Sequence, residues 1–361
     1  MVPAEIPGVP PARILASLVR AGLVDSRTAC EGAVSFIDLS RSNPVHVVAI
    51  DTTPAFVVKQ NGPAIDGEPP VAVEREVYRW LARYPALAEI APSFVPTGAG
   101  EGGEHFLITH AVADASTPHA FWRGDDREIR GLTIALARTL AHLHGSSARA
   151  AQQAHRPSAR RPWVLGLPAS TAPDFVTRNP SAHELTVRLR NLPWLVELLR
   201  AADAAWCARS LMHGDVKWDN VLARRGTHGD GSSEWRIWLV DWELAGWGDP
   251  TWDVAALVEN VLSRFGLFDG GLDVHAAGHD VALAISTYCE SVDATIALRL
   301  EQLIQLVAVR LVQVAIQLAA MSGIGIEVSA DLGLVLDVAR SIAAEPSRWI
   351  ADIIGPQNAG R

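Results

Sequence analysis

Cysteine is scarce in this 361-residue chain, which has three. Cys30, Cys207 and Cys289 are odd in number and lack the close spacing of metal ligands. These features argue against a disulfide framework and a cysteine metal centre, and they predict a reducing compartment. Acidic residues outnumber basic ones, 40 to 31, so the formal net charge is −9 and disfavours a nucleic-acid binder.

A secretion leader and a membrane span are also lacking. Residues 1–11 contain Glu5 and several prolines instead of a basic and then apolar leader. The longest apolar stretch, 296–321, is interrupted by polar residues at nearly helical spacing. That spacing predicts a long buried helix with one solvated stripe rather than a span. We therefore expect a soluble, cytoplasmic protein with no membrane partner.

The chain is long enough for one large or two medium domains, each with a core of its own. Three short β-like runs with tight connections predict a small antiparallel sheet near the N-terminus, and most of the remainder has helical spacing. The expected fold class is therefore α+β. The predicted strands are 33–37, 45–50, 55–60 and 105–111, and the predicted helices are 11–21, 73–82, 129–144 and 179–205, with a break at Pro193.

Residues 145–173 interrupt the helical pattern with Ser, Pro and Gln among several arginines. Two interpretations remain open for this segment. One is a flexible insertion that contacts an anionic partner, and the other, which we favour, is a solvated loop. Just before the segment, His142 and His144 lie at the end of a predicted helix without nearby acids, so we expect structural histidines rather than metal ligands.

Two polar motifs carry the chemistry. Residues 213–220 read H-G-D-V-K-W-D-N, and an apolar run at 237–240 is followed by D-W-E. A phosphoryl-transfer site needs one carboxylate to orient a hydroxyl, then an amide and a second carboxylate to hold magnesium. Asp215, Asn220 and Asp241 occur in that order. A simple Asx-rich turn would explain the first motif but not the second acid on a separate strand.

These motifs resemble the aminoglycoside phosphotransferase and choline-kinase branch of the protein-kinase-like fold. The resemblance covers residues 34–254 and implies ATP and Mg²⁺ as cofactors. It also implies a bilobal α+β fold, with an ATP-binding lobe at 1–110, a small antiparallel sheet, and a mostly helical catalytic and acceptor-binding lobe at 111–361. The later G-D-P-T-W-D segment matches the family pattern, in which Asp249 caps a helix and Asp253 supports the catalytic loop.

In this family a strand lysine contacts the α- and β-phosphates, and a helical glutamate pairs with it. Lys59 closes an apolar strand, where a charge is costly without a partner. We expect its partner to be Glu76, with Glu74 as the alternative. The loop at 40–43 lacks G-x-G-x-x-G, and the resemblance implies that Ser42 and Asn43 cover the phosphates there; an ordinary hairpin turn is the other interpretation.

Lys217 decides our choice of acceptor. Its position, two residues after Asp215, runs in register with the H-R-D-L-K-x-x-N loop of Ser/Thr protein kinases, where the lysine touches the γ-phosphate. A cation there would stabilise charge on the transferred group, although a surface lysine is the simpler reading. We therefore assign Asp215 and Lys217 as catalytic residues, Asp215 orienting the hydroxyl and accepting its proton.

The W-D-N and D-W-E-L-A-G-W-G-D-P surroundings also resemble the phosphotransferase-like kinases of lanthipeptide and thioamitide pathways. That resemblance implies a precursor peptide as the acceptor and a partner lyase that eliminates phosphate. A small-molecule kinase for an aminoglycoside or other metabolite is the alternative, although residues 303–361 lack the acidic cluster that a polycation needs. A nucleotide-binding pseudokinase is disfavoured because Lys59, Asp215, Asn220 and Asp241 are all present.

Overall fold

The computed structural model forms two compact units. The first comprises Met1–Ser116 with Trp238–Ala245, and the second comprises Thr117–Ile237 with Gly246–Arg361. The division expected after residue 110 did not anticipate that 238–245 belong with the N-terminal residues. The structure describes residues 9–40, 43–62, 68–96, 106–121, 126–152, 155–169, 172–227, 233–267, 273–321 and 330–354.

A four-stranded antiparallel sheet in the order β1-β2-β3-β4 organises the first unit. Its strands are β1 (Val34–Asp38), β2 (Val45–Ile50), β3 (Thr53–Gln60) and β4 (Phe106–His110). The pairing of β2 with β3 shifts register between Val48 and Ala49. All four strands lie where the sequence predicted them, because their β-branched and aromatic residues supply one buried face.

The helices of the first unit are α1 (Pro11–Arg20), α2 (Ser26–Cys30), α3 (Pro70–Leu81) and α4 (Pro85–Ala88). The first of them packs Ile14 and Leu18 into the core of the sheet. It ends as predicted at Gly22, whose φ of 70° is the left-handed conformation that glycine adopts without a steric penalty. The N–H of Leu23 then donates to the carbonyl of Leu18, which satisfies the end of the helix.

Helices make up most of the second unit. They are α5 (Asp126–Ala150), α6 (Asp174–Thr177), α7 (Pro180–Arg190), α8 (Pro193–Ala205), α9 (Thr251–Leu262), α10 (Val274–Ser291), α11 (Leu300–Met321), α12 (Ala330–Ala344) and α13 (Pro346–Ile354). With the antiparallel sheet of the first unit, this content confirms the α+β class. Every residue of α9 is buried, so this helix lies at the centre of the unit.

Helix α11 is the one described helix long and apolar enough to cross a membrane, over Leu300–Ala320, yet 78% of that window is buried inside the protein. It packs against α7, α9 and α12. The expectation that its polar stripe is solvated was wrong. Gln302, Arg310 and Gln313 are all buried, and the first two form hydrogen bonds with acids on neighbouring segments.

The segment at 145–173 is not a solvated loop throughout. Helix α5 continues six residues past the predicted end at His144, with Ser147 buried and its hydroxyl donating to the His144 carbonyl. Further along, a short 3₁₀ turn at Trp163–Gly166 buries Val164 and Leu165. Burial of these side chains shows that part of the segment belongs to the core of the second unit.

Two small antiparallel ribbons complete the structure. One pairs β5 (Ser210–Met212) with β8 (Gly246–Gly248), and the other pairs β6 (Val221–Thr227) with β7 (Ser233–Leu239). In the first ribbon Met212 lies opposite Gly246 and Ser210 opposite Gly248. The loop that carries Asp215 therefore begins at the edge of this ribbon.

We predict that Gly246→Ala destabilises the protein. A Cβ at Gly246 would lie 2.6 Å from the backbone oxygen of Ser158 and 2.2 Å from Arg160 Cγ, so the backbone must move. Overpacking of this kind costs about 1–3 kcal/mol, which should lower both the free energy of unfolding in urea and the Tm.

Gly333→Ala in α12 is the matched control. No described atom lies within 4 Å of its added Cβ, so the same substitution should stabilise the helix by about 0.5–1 kcal/mol. Equal effects of the two substitutions would contradict the close packing at Gly246.

Candidate active site

A buried ammonium group organises the site in the first unit. Lys59 lies near the end of β3 and is 7% exposed. Its Nζ lies 2.8 Å from Glu74 Oε2 and 2.7 Å from Glu243 Oε2, and it also donates to Asp241 Oδ1. Three segments distant in sequence thus meet at one charge, because a buried cation must find compensating anions.

The expectation that Glu76 pairs with Lys59 was wrong, since Glu74 holds that position. On α3, Glu74 precedes Val77, Tyr78 and Leu81 by three, four and seven residues, so it shares their buried face. Glu76 projects about 200° away on a helix of 3.6 residues per turn. This spacing was visible in the sequence and would have identified the correct partner.

Asp241 starts a tight turn in a strained backbone conformation. Its φ of 68° and ψ of 61° are left-handed, which is uncommon for a residue with a Cβ. The next residue, Trp242, is fully buried, and its backbone N–H donates to Glu74 Oε1 at 3.2 Å. Its indole donates to the carbonyl of Leu239 at 3.0 Å. These contacts stabilise the strained backbone conformation of Asp241 and fix the direction of its side chain.

Glu243 lies in the same cluster. Its Oε2 accepts from Lys59 and also from the amide of Asn43, which is 7% exposed. Burial raises the pKa of Glu243 to about 7; Lys59 opposes that shift, and the nearby charge of Asp241 adds to it. One ammonium cannot fully neutralise three carboxylates. Ser42, expected beside Asn43, lies outside the described residues.

For the pKa of Lys59, neighbouring charges outweigh burial, which is the reverse of what is seen for Glu243. Burial alone would lower the pKa of Lys59, but the charges of Glu74, Asp241 and Glu243 outweigh burial and hold the pKa well above its ordinary value. The lysine is therefore a permanent cation across physiological pH. A permanent cation next to a partly exposed carboxylate suits the binding of a phosphate chain with a divalent cation.

Asp253 supports the loop of the second unit that carries Asp215. The carboxylate of Asp253 accepts the backbone N–H of His213 at 2.6 Å and that of Gly214 at 2.9 Å, as the sequence predicted. It also contacts His144 Nε2 at 3.1 Å, and Tyr288 lies 2.8 Å from His144 Nδ1. Both ring nitrogens of His144 are therefore engaged, which gives that histidine the structural role expected for it.

Two further contacts fix the same loop. Gly214 has a φ of 83°, which permits the sharp turn, and its carbonyl accepts the indole N–H of Trp252 at 3.0 Å. Asp249 caps the start of α9 by accepting the N–H of Thr251 at 3.0 Å, again as predicted. Buried hydrogen bonds within the protein therefore fix the conformation of the loop.

Asp215, Lys217 and Asn220 form a contiguous polar group at the top of this loop. Lys217 Nζ lies 2.7 Å from Asp215 Oδ2, and the amide of Asn220 donates to the same oxygen at 3.0 Å. Burial of Asp215 would raise its pKa, but the charges of Lys217 and Arg310 outweigh burial and hold the pKa below its usual value. The carboxylate is therefore ionised and ready to accept a hydrogen bond from a hydroxyl.

The sequence analysis missed a buried ion pair near this group. Arg310 of α11 donates to Glu259 Oε2 of α9 at 3.0 Å and 2.6 Å, and its guanidinium lies 5.1 Å from the Trp252 ring. Asn260, which follows Glu259 in α9, donates its side-chain amide to the carbonyl of Val216 in the loop. The partners are 51 residues apart, so no local spacing could have revealed the pair.

Lysine is rare in this chain and occurs only in the two groups described above. Lys59 and Lys217 are the only lysines in the sequence, and every other one of the 31 basic residues is an arginine. Lysine presents a compact charge on a flexible stem, whereas arginine presents a planar fork. A chain that uses arginine everywhere else thus keeps the point charge only at Lys59 and Lys217.

Oxygen ligands for a hard cation are available in both units. Asn220 uses its NH₂ on Asp215, so its amide oxygen is the atom left for a cation, and the Asp241 side chain is 30% exposed. Among the described residues there is no group of three or more His, Cys, Asp or Glu suited to an ion. Magnesium at nucleotide sites needs only one or two carboxylates together with phosphate oxygens and water.

The predicted residues therefore fall into two groups, each assembled within its own unit. The first unit brings together Asn43, Lys59 and Asp241, and the second brings together Asp215, Lys217 and Asn220. Each group contains one lysine and at least one carboxylate.

Glu74→Gln and Glu76→Gln form a matched pair on one helix. We predict that Glu74→Gln lowers kcat/KM for ATP by about ten- to a hundredfold, because it removes a buried partner of Lys59, whereas Glu76→Gln stays near wild type. Steady-state kinetics with varied ATP measures both. The reverse ranking would restore the sequence-based assignment.

The raised pKa of Glu243 predicts a pH-dependent stability without nucleotide or divalent cation. Between its unfolded value of 4.5 and about 7, the folded protein holds the proton more tightly, so stability falls as pH rises through this window. A shift of this size corresponds to about 3 kcal/mol.

Glu243→Gln should remove that slope. Urea unfolding at pH 5 and pH 8 should show the variant gaining on the wild type by about 2–3 kcal/mol as pH rises. Glu31→Gln, at an exposed position, is the control and should leave the slope unchanged. Parallel curves for Glu243→Gln and wild type would contradict the raised pKa.

Comparison with solved structures places this geometry in a known fold. The choline kinase of Cryptosporidium parvum Iowa II has a TM-score of 0.57 at 13% identity, with 97% of this chain and 99% of that chain covered. The choline kinase LicA from Streptococcus pneumoniae has a TM-score of 0.51 at 16% identity, with coverage of 92% and 98%. The amicoumacin kinase hAmiN, in complex with AMP-PNP, Ca²⁺ and Ami, has a TM-score of 0.54 at 15% identity, covering 96% and 98%.

These identities show a shared protein-kinase-like fold and nothing finer. A sequence comparison with curated proteins found no match. The phosphotransferase enzyme family, APH, matches residues 34–280, which is more than half of the chain and includes every residue of both groups described above. The chain therefore belongs to the phosphotransferase enzyme family, and it is an ATP-dependent phosphotransferase that acts on hydroxyl groups.

Proposed function

We propose that this phosphotransferase uses Mg²⁺ and ATP to phosphorylate a Ser or Thr hydroxyl of a peptide. The observation that carries the proposal is the contact of Lys217 Nζ with Asp215 Oδ2 at 2.7 Å. The resemblance to the Ser/Thr protein-kinase loop implies a cation at this place, and a cation beside the base can stabilise charge on the transferred group. The side chain of Lys217 is 46% exposed, so a bound phosphate can reach its ammonium group.

The roles of the residues follow from their surroundings. Asp215 holds the acceptor hydroxyl and takes its proton, a contribution of typically two to four powers of ten in rate. Lys217 stabilises charge on the transferred group. Lys59 holds the phosphate chain, and Asn43 lies next to it through Glu243. Asn220 and Asp241 would hold the divalent cation, which neutralises phosphate charge when bound.

Electrostatics around the acceptor side support a peptide over a polycation. The carboxylate that would otherwise attract a cationic substrate, Asp215, is paired with Lys217 and lies close to Arg310. An aminoglycoside would meet the exposed ammonium of Lys217 there, while Arg310 contributes its charge from a buried position. In this proposal the phosphorylated peptide then passes to a partner lyase, which eliminates phosphate to leave a dehydroamino acid.

A small-molecule alcohol is the second candidate acceptor. The structural relatives named as choline and amicoumacin kinases favour it, because they share the fold over nearly the whole chain. Mass spectrometry after incubation with ATP, Mg²⁺ and either Ser/Thr peptides or a panel of choline and aminoglycosides separates the two candidates. Phosphate on the small molecules alone would replace the peptide proposal with this one.

Asp215→Asn tests the mechanism for either acceptor. The amide cannot accept the proton, so phosphoryl transfer should fall by about two to four powers of ten while ATP binding by calorimetry is retained. Asp219→Asn, the same change four residues along the loop, is the control and should keep most of the activity. Transfer near the wild-type rate in Asp215→Asn would show that another group acts as the base.

A further inference from the structure

The second unit carries an unusually basic stretch. Residues 129–173 contain six arginines and no Asp or Glu, in a chain whose net charge is −9. Three of the arginines fall within residues 155–161, which we call the basic strip. A strip of one charge sign on an acidic protein attracts ligands of the opposite sign.

The basic strip extends the β5–β8 ribbon as a third strand. The N–H of Arg160 donates to the Trp247 carbonyl at 3.0 Å, and the N–H of Trp247 donates to the Ser158 carbonyl at 2.9 Å. In this parallel bridge, centred on Ala159, the backbone groups of Ala159 face the opposite side. Ala159 is exposed, and within the part of the chain that the structure describes its N–H and C=O have no hydrogen-bond partner.

Two arginines flank this open edge. Arg156 is exposed, and its Cζ lies 5.1 Å from the centre of the Trp247 ring. Arg161 is half exposed; it lies 6.0 Å from the Trp206 ring and contacts Asp203 Oδ1 at 2.6 Å. Stacking on an indole holds a guanidinium in place, and its five N–H donors let Arg161 bind a second carboxylate besides that of Asp203.

The strip lies near the catalytic aspartate. Gly246, which Arg160 covers, is the register partner of Met212, and Asp215 follows Met212 by three residues. Adjacent strands place paired Cα atoms about 5 Å apart, and three residues span at most about 11 Å. The strip lies one further strand spacing beyond Gly246, so it is within about 21 Å of Asp215, a distance that six or seven residues of an extended peptide cover.

We propose that the basic strip docks an acidic, extended segment of the acceptor peptide. The segment adds as a strand to the open edge at Ala159, and its Asp or Glu side chains pair with Arg156 and Arg161. Docking at the strip directs a Ser or Thr six or seven residues along the peptide to Asp215. This proposal rests on the proposed function, since it names the class of peptide that the same site takes.

Binding tests the strip independently of turnover. The probes are three labelled peptides with a central alanine, flanked by glutamate, glutamine or lysine, titrated with the full-length protein by fluorescence anisotropy. The wild type should bind the glutamate peptide about tenfold more tightly than the glutamine peptide and the lysine peptide weakest. In Arg156→Glu/Arg161→Glu the order should reverse. Affinities that ignore peptide charge, in either protein, overturn the proposal.

Ala159→Pro tests strand addition. Proline lacks the N–H that the edge offers, and the exposed position leaves the hydrogen bonds of Arg160 and Trp247 intact. The affinity for the glutamate peptide should fall about fivefold while its dependence on peptide charge stays. Unchanged affinity overturns the strand-addition part. Arg188→Glu on α7, an exposed arginine away from the strip, is the control and should bind as the wild type does.

The serine-containing versions of the same peptides then report on turnover. The double variant should raise KM for the glutamate-flanked peptide about tenfold with little change in kcat, a split that loss of folding would not produce. Charge-dependent binding of the alanine peptides without phosphorylation of the serine peptides would locate the failure in the proposed function. Phosphorylation of the serine peptides without any charge preference would show that the proposed function holds and the docking strip does not.

Discussion

The sharing of one buried ammonium by three carboxylates is the constraint on which the first unit depends. Lys59, Glu74, Asp241 and Glu243 come from β3, from α3 and from the turn after β7. Removing one partner of a buried ion pair typically costs about 3–5 kcal/mol, so these segments hold each other in place. The same arrangement leaves excess negative charge, which a nucleotide with its cation can rearrange. Structural cohesion and readiness for a ligand thus come from the same four side chains.

The second unit solves a different problem, which is to hold a polar loop rigid inside an apolar helical core. Asp253 and Trp252 satisfy the backbone of the loop, and the Arg310–Glu259 pair lies against the same tryptophan. These contacts satisfy the backbone of the loop and pair the buried charges of Arg310 and Glu259. The carboxylate of Asp215 is therefore held in place before any ligand binds.

Local patterns predicted most of the elements but few of the long-range partners. The strands of the sheet and the ends of α1 and α8 follow from alternation, glycine and proline placement. The motif at 213–220 predicted the Asp215 group because its members lie within one loop. By contrast, Arg310 and Glu259 meet only through the packing of α9 on α11, and the edge at Ala159 exists only because a distant ribbon pairs with it. Helical spacing alone predicts Glu74 as the partner of Lys59, whereas the choice of Glu76 considered only the residues next to it.

The distribution of ammonium groups has a consequence for covalent chemistry. Apart from the N-terminal amine, a reagent that acylates amines meets two side chains on the whole molecule, one 7% exposed and the other nearly half exposed. Acetylation, ubiquitination or crosslinking through a lysine side chain could therefore act only at Lys59 and Lys217, the two lysines of the proposed site. Any lysine modification therefore reports directly on the proposed site, with Lys217 the more accessible of its two targets.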